Sequence, residues 1–431
     1  MSALCEPEVH ASLIADAPVR GNWPAWFHED QVKAWELFAS LPWPSRTDEP
    51  WRFANLKAAR PEGFRPADSV RDAAELVARS TGWEHVSGKL VFGNDTLLHS
   101  GVSGLPSGVL LLPLEEAVAG HAGLIRSHFM TSEPRLGSRK FAALHRAKLR
   151  TGAFLHVPKG VVVEKPIEIW HWVEGEKAAV FPHTLVVLEE GASATVIDRF
   201  ASSGTEASLA IAVNDLTVGK GARLTYTAVQ EWSDSTTAFH VNTTEVAEEG
   251  TSTALQMNLG GRYVRGESDS HLRGEGSRSV MLSVNPADKQ REIDQRTFQD
   301  HFSPRATSDL LYHNALSDNS RTIFSGLIKV EEGAHETDAY QKVRNLMLSD
   351  EAEANSMPGL EILADNVRCT HGATSGELNE EELFYMQARG IPAKQAAQLI
   401  VRGFFGSVLE RLDHAELQAH LGAILDKKLG I

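Results

Sequence analysis

The residues best spaced for chemistry in this 431-residue chain are Cys369 and His371, in the stretch ILADNVRCTHGATSG. Alternate residues of a strand point to one side, so this thiol and imidazole would converge on one soft metal ion or an iron–sulfur centre. The pair supplies at most two ligands, whereas protein-held clusters commonly take four. A second chain or labile external ligands would have to complete such a site. That arrangement suits a cluster that is built and then released rather than stored. The competing reading is a buried cysteine beside a hydrogen-bonded histidine.

A second group is acidic. Asp294, Asp300 and Asp309, with His301 and His313 nearby in sequence, are the residues a β-helix polysaccharide lyase or hydrolase would use. Such chemistry needs two carboxylates at a defined separation, and the aromatic residues expected of a sugar groove are sparse. This enzyme stands as the alternative function. His145 reads as a helix-face residue with a local hydrogen bond. The chain contains no G-x-x-x-x-G-K-[ST], G-x-S-x-G, H-E-x-x-H or C-x-x-C, and no dinucleotide fingerprint follows a strand. VGKGA has the wrong order for a phosphate loop and reads as a turn.

The elements that position these residues are marked by glycine. Gly160, Gly191, Gly221, Gly250 and Gly276 recur at 31, 30, 29 and 26 residues, and Gly333 follows after 57. Four sit in one phrase (LEEGASAT, VGKGARLT, AEEGTSTA, VEEGAHET) beside alternating apolar and polar runs such as HTLVVLEE and ARLTYTAV. Alternation of period two makes strands, and the glycine suits a tight turn of positive φ. One such unit cannot bury its own inner face, but a stack of them can. The expected core is therefore a mainly β fold, a parallel β-helix over residues 151 to 376, rather than a β-sandwich or jelly roll with turns every ~8 to 12 residues. Residues 277 to 330 are the weak stretch, with Pro286 and Pro304 and no glycine at the coil boundary.

The flanks read as helical: an N-terminal domain over residues 1 to 150 and a C-terminal one over 377 to 431. Residues 24 to 40 carry Trp26, Phe27, Trp35 and Phe38 on an amphipathic helix. The N-terminal tryptophans read as core packing, and residues 1 to 15 as frayed. A helix is expected over 67 to 80 and another through LEEAVAGHAGLIRSHFM. The basic stretch from Arg135 to Arg150 reads as a solvated helix face. Asn379 with Glu382, and Asp413 with Glu416, read as capping pairs, giving a three-helix cap over one end of the solenoid. Phe404 and Phe405, between Gly403 and Gly406, offer a partner-docking surface.

A formal charge of −15 opposes binding to nucleic acid or anionic membrane. There is no long apolar run or secretory h-region, and only Cys5 and Cys369 are present. Cytoplasm is the expected compartment.

The block NLMLSDEAEANSMPGLEILADNVRCTHGATSGELNEEELFYMQARGI closely resembles the SufB/SufD family of iron–sulfur cluster assembly scaffolds. FAALHRAKLRTGAFLHVPKGVVVEKPIEI, HTLVVLEEGASATVID and Trp51-Arg52-Phe53 support it. The resemblance implies a right-handed parallel β-helix between helical ends and a non-enzymatic scaffold of the SufBCD complex. It also implies that His371 contributes to a transient cluster at an interface with SufB, with no cluster stably bound by the isolated chain. Cys369 belongs to the same motif. The SufB branch carries His-Glu-Ala-Thr at this place and an essential cysteine upstream. Here Gly372 replaces the glutamate and no cysteine lies between Cys5 and Cys369, so the chain is not expected to build a cluster alone. The implied partners are SufB, through the C-terminal coils, and the ATPase SufC, through the C-terminal helices. The isolated chain could pair with itself.

Overall fold

A computed structural model describes residues 13–18, 21–102 and 104–431; Cys5 and most of the stretch expected to fray lie outside the described residues. The core is a parallel β-solenoid of two facing sheets, flanked by helices at both ends of the chain. The first sheet carries, among others, Ser208–Val218, Thr237–Val246, Tyr263–Leu272, Glu292–His301, Arg321–Val330 and Glu353–Ile362. The second carries Arg223–Glu231, Thr251–Asn258, Arg278–Ala287, Thr307–Leu316, Asp338–Met347 and Arg368–Glu377. Each coil pairs in parallel, residue for residue, with the coils before and after it. The weak stretch continues this register: Pro286 lies in a strand opposite Ala315.

The corners explain both the glycine rhythm and its gaps. Gly160, Gly191, Gly221, Glu249, Gly276, Arg305 and Glu336 all have positive φ, between 56° and 72°. Each donates its backbone N–H to a carbonyl of the next coil, for example Gly221 to Glu248 and Arg305 to His335, at 2.8 and 2.9 Å. The ladder thus continues through residues 277 to 330 on a non-glycine corner. Gly250 is not a corner residue; Glu249 takes the positive φ in its place.

The lumen is apolar in the early coils, where Val186, Val196, Ala210, Leu216, Tyr226 and Ala228 share one cluster. It becomes polar further along. Asn258, Asn285, Asn314 and Asn345 form a ladder of side-chain amides, each Nδ2 donating to the next Oδ1 at 2.7, 2.8 and 2.7 Å, and Asn345 then donates to the Ser375 hydroxyl at 3.1 Å.

The N-terminal region closes one end of this rod. The hairpin Gly88–Gly93/Thr96–Gly101 extends the second sheet, and Leu110–Pro113 runs antiparallel to Ala153–Val157 at the end of the first. Its helices are Ala25–Ser40, Ala73–Arg79, Leu114–Gly120, Ala122–His128 and Arg139–Lys148. The helix expected over 67 to 80 is thus shorter, and the one through LEEAVAGHAGLIRSHFM breaks at His121. The tryptophans pack as expected: Trp51 lies against Phe141 and Phe239 at 5.7 and 6.5 Å between ring centroids.

The basic helix is not a solvated face. Seven of the ten residues in Arg139–Lys148 are buried. Lys140 donates to the carbonyls of Phe38 and Leu41 at 2.7 and 2.5 Å, with its ammonium over the Phe38 and Trp43 rings. Nor is the hydrogen bond of His145 local. Its Nδ1 meets the Ile211 carbonyl at 2.7 Å, and its Nε2 lies 3.2 Å from His183 Nδ1.

The N-terminal region is joined to the outer face of the first sheet by Arg265, which is fully buried. Its guanidinium reaches Glu267 at 2.7 Å and Asp294 at 2.5 Å, and donates to the carbonyls of Pro50 and Leu136 at 2.8 and 2.7 Å. It lies 3.9 Å from the Trp51 ring centroid. Arg296 similarly joins Asp294 to the Arg52 carbonyl.

The C-terminal helices Glu380–Ala388, Ala393–Leu409 and Ala415–Leu429 do not cap the solenoid. The second and third fold back along the outer face of the second sheet, while Glu380–Ala388 packs against the second helix and buries no residue. Val401, Phe405, Val408, Leu417 and Leu421 share one apolar cluster there with Leu255, Met257, Val280 and Leu282. Asn379 caps as expected, accepting from the N–H groups of Glu381 and Glu382. The third helix is capped by the His414 ring, which accepts from Leu417 N–H at 3.1 Å, rather than by Asp413. No described helix is long and apolar enough to cross a membrane.

Two outcomes follow for stability. Gly221→Ala meets no atom within 4 Å, so its cost is conformational alone, about 1–2 kcal/mol, read from the midpoint and slope of urea unfolding. Burial lowers the pKa of His145, His240, His301 and His313 from 6.5 to about 4. The stability they contribute is complete above about pH 6.5 and is lost as the pH falls toward 4. Burial raises Asp95 and Asp215 to about 6 and about 7 and acts in the opposite sense, but the histidines outnumber them. The melting temperature should therefore fall between pH 7 and pH 5, and a flat profile would contradict this account.

Candidate functional site

The strand Arg368–Glu377 is the last of the second sheet. It pairs on one side only, with Cys369 opposite Ala339 and His371 opposite Gln341. Glu353–Ile362 is likewise the last strand of the first sheet. Pro358, which has no N–H to give, is tolerated here because it lies in an edge strand. Both sheets therefore end in an edge that no described residue pairs, at the end of the rod the C-terminal helices leave open.

Cys369, His371, Ala373 and Ser375 face the lumen of this last coil, stacked on Ala339, Gln341, Val343 and Asn345. The two residues singled out by spacing thus share one face, and their surroundings differ. Cys369 is half-buried against Ile328, Val330, Ala334 and Ala339. Burial and the nearby Asp338 carboxylate raise its pKa, against the pull of the Ala339 backbone hydrogen bond. It is therefore held as a thiol, whereas ligation needs the thiolate. His371 is exposed. Gly372 has no atom within 4 Å of an added Cβ, so a longer side chain fits there. Among the described residues no group of three or more His, Cys, Asp and Glu side chains is arranged to hold a metal ion.

The open end also carries apolar surface that the sequence patterning did not single out. Leu360, Ile362 and Leu363 are 36%, 42% and 52% exposed. Rows of charge on the outer face of the first sheet alternate in sign along the rod and stop there: Glu292, Arg321, Glu353 in one register, and His271, Asp300, Lys329, Glu361 in another.

The acidic alternative is dispersed. Asp294 is taken up by Arg265 and Arg296 beneath the N-terminal region. Asp300 pairs with Arg135 at 3.3 Å. Asp309 is on the other sheet, against Arg411. His301 faces the lumen, 2.8 Å from the Ser308 hydroxyl, and His313 lies under the C-terminal helices. No two of these carboxylates face a common opening, so the hydrolase reading loses its geometry.

Phe405 is fully buried in the cluster that binds the C-terminal helices to the second sheet, and is not available as a docking side chain. Phe404 is half-buried: its ring stacks on His313 at 4.2 Å, and its carbonyl accepts from the His313 Nδ1–H at 2.9 Å. The open apolar surface of these helices is instead Phe384 and Tyr385, 72% and 59% exposed on a helix with no buried residue. Local sequence held no signal for this, because adjacent residues can share one apolar stripe of a helix.

Residues 171–404, more than half of the chain, match the family described as SUF system FeS cluster assembly, SufBD core domain. The chain is 28% identical to the iron–sulfur cluster assembly protein SufD of Bacillus subtilis over 417 residues, covering 94% of each chain. It is 28% identical over 327 residues to an iron–sulfur cluster assembly SufBD family protein of Mycobacterium tuberculosis, covering 73% of this chain and 81% of the other. Against the iron–sulfur cluster assembly protein SufB of Bacillus subtilis it is 26% identical over 396 residues, covering 88% and 84%.

Burial separates the aromatics in a way that can be measured. Phe405→Asp leaves a cavity and an unpaired charge and should cost more than about 3 kcal/mol, with loss of the cooperative thermal transition. Phe384→Asp should leave the melting temperature within a few degrees of the parent.

Proposed function

Because the chain belongs to the SufBD family of iron–sulfur cluster assembly proteins, we propose that it is a scaffold subunit that helps SufB build and release nascent clusters. Its likeness to SufD over nearly the whole chain supports a role in cluster assembly within the SUF system. One observation supports the finer reading: His371 is exposed on the lumen face of the final coil, between two unpaired sheet edges. An imidazole set at the rim of an unfinished solenoid is placed to share a ligand set with whatever completes it.

The partner in this reading is SufB. Edge strands recruit further strands through their free backbone groups, and the exposed Leu360 and Ile362 add apolar area to bury. The charge rows end on Glu353 and Glu361, so a facing strand with Lys or Arg at those places continues the alternation. His371 supplies one imidazole to the cluster, which is the cargo, and SufB supplies the remaining ligands. Cys369 is a weaker second candidate, because its thiol must first be deprotonated in a half-buried setting. In an isolated preparation a second copy of this chain can occupy the same edges.

The ATPase SufC docks on the C-terminal helices in this reading, at the exposed Phe384 and Tyr385. ATP-driven movement of SufC then favours an arrangement in which the two scaffolds part and their ligands open. The effect is differential stabilisation of two arrangements.

His371→Ala should leave the melting temperature of the isolated chain unchanged, since the side chain is exposed, and should lower iron and sulfide content in the anaerobically reconstituted complex. Clusters at parental yield would refute the role given to His371. Phe384→Asp with Tyr385→Asp should release SufC in co-purification while SufB is retained; equal loss of both partners would refute the docking surface.

A further inference from the structure

Beside the N-terminal region lies a cavity of about 500 Å³, far from His371 in the fold, and the scaffold role does not use it. It lies where four segments meet: residues 16–18 and 21–23, the tip of the hairpin at Asp95, Glu115 of the helix Leu114–Gly120, and the chain leaving the helix Arg139–Lys148. Its volume is in the range of small-molecule sites, and the seam between packed segments is where such sites occur. Trp23 and Phe181 supply apolar wall.

The polar groups on this wall are of both signs and incompletely engaged. Among the described residues Arg150 makes one hydrogen bond, from Nη1 to the Ala67 carbonyl at 2.9 Å, out of the five N–H donors of a guanidinium. Asp95 stands at a turn where both Asn94 and Asp95 have positive φ. Among the described residues its two carboxylate oxygens share a single donor, the Phe181 N–H, at 3.0 and 2.9 Å. No ion pair joins Arg150 to Asp95 among the described residues, although both line the cavity. Gln31, 2% exposed, gives its amide N–H to the Leu149 carbonyl at 2.9 Å, and its Oε1 is left without a partner. A buried acceptor without a donor costs free energy that a ligand N–H would return.

We propose that this cavity binds a small zwitterion of the α-amino acid class, with the ligand carboxylate on Arg150 and its ammonium between Asp95 and the Gln31 amide oxygen. A guanidinium suits a carboxylate through paired, charge-assisted hydrogen bonds, and the acceptors opposite it lack the donors an ammonium provides. Lys148, which donates to the Asp16 carbonyl, also lines the cavity, as do the Asp16 and Glu115 side chains. An anion alone would leave Asp95 and Gln31 unserved, and a cation alone would leave Arg150 unserved. Burial raises the Asp95 carboxyl to about 6, so the ammonium side of the site weakens below that pH.

The test is isothermal titration of the full-length protein with each of the proteinogenic amino acids, with their decarboxylated amines and N-acetylated acids as controls. At least one free amino acid should give saturable heat with Kd below about 1 mM, and its amine and N-acetyl counterparts should bind at least about tenfold more weakly. Arg150→Gln and Asp95→Asn should each weaken binding by a similar factor in protein that keeps its cooperative thermal transition. His371→Ala should bind as the parent does, which separates this site from the cluster-assembly reading. Absence of saturable binding across the panel would overturn the proposal, as would parental affinity in Arg150→Gln.

Discussion

Parallel stacking in exact register is the constraint on which the molecule depends. Every strand of the solenoid interior has its backbone groups met by one coil before and one after, and no coil can satisfy its own. A rod built this way always has two ends to manage. At the N-terminal end antiparallel strands halt the repeat. At the other end none of the described residues does so, and the asparagine ladder stops on a serine hydroxyl at the same place. The open end and the exposed histidine are one structural fact, because the histidine is exposed only where the stacking stops.

The outer faces of the two sheets are covered by different physics. The second sheet takes the C-terminal helices through aliphatic and aromatic contact, which is tolerant of detail. The first takes the N-terminal region through Arg265, Arg296, Asp294 and Glu267, whose charges are all but removed from water. Burying ions is expensive, and such networks are not obvious sources of net stability. Their value lies in geometry: a guanidinium that must meet two carboxylates and two carbonyls at once permits one docking position and penalises its neighbours. The sequence patterning for the two faces differs accordingly, with Val280, Leu282 and Val284 alternating on one, and Tyr263, Arg265 and Glu267 on the other.

The repeat itself was legible because its corner needs positive φ and glycine is the residue that adopts it without cost. The same rule misled where Glu249, Arg305 and Glu336 accept the strain, since a rhythm of one residue type cannot register its substitutes. Strand alternation placed Cys369 and His371 on a common face correctly. It carried no information on which of them the lumen would cover, because that depends on Ile328 and Val330 in a coil some forty residues earlier. The basic helix was misread for a related reason. Lys140 and Arg146 look solvent-seeking in isolation, and only the fold reveals the carbonyls and aromatic rings that receive them. Phe405 read as surface because its helix has more apolar width than a cap requires; the outer face of the second sheet takes up that width.

Arg265 also has a consequence for how the molecule is made. The carbonyl of Pro50 and the guanidinium that holds it are separated by 215 residues. A ribosome has long since released the tryptophan-rich N-terminal segments from its tunnel when their docking surface is being synthesised. During that interval their apolar faces have no native cover, and non-local closure of this kind is slow and exposed to aggregation. Until Phe239, Tyr263 and Arg265 have all been made, these segments lack part of their native cover, and this interval of synthesis is the one most open to aggregation.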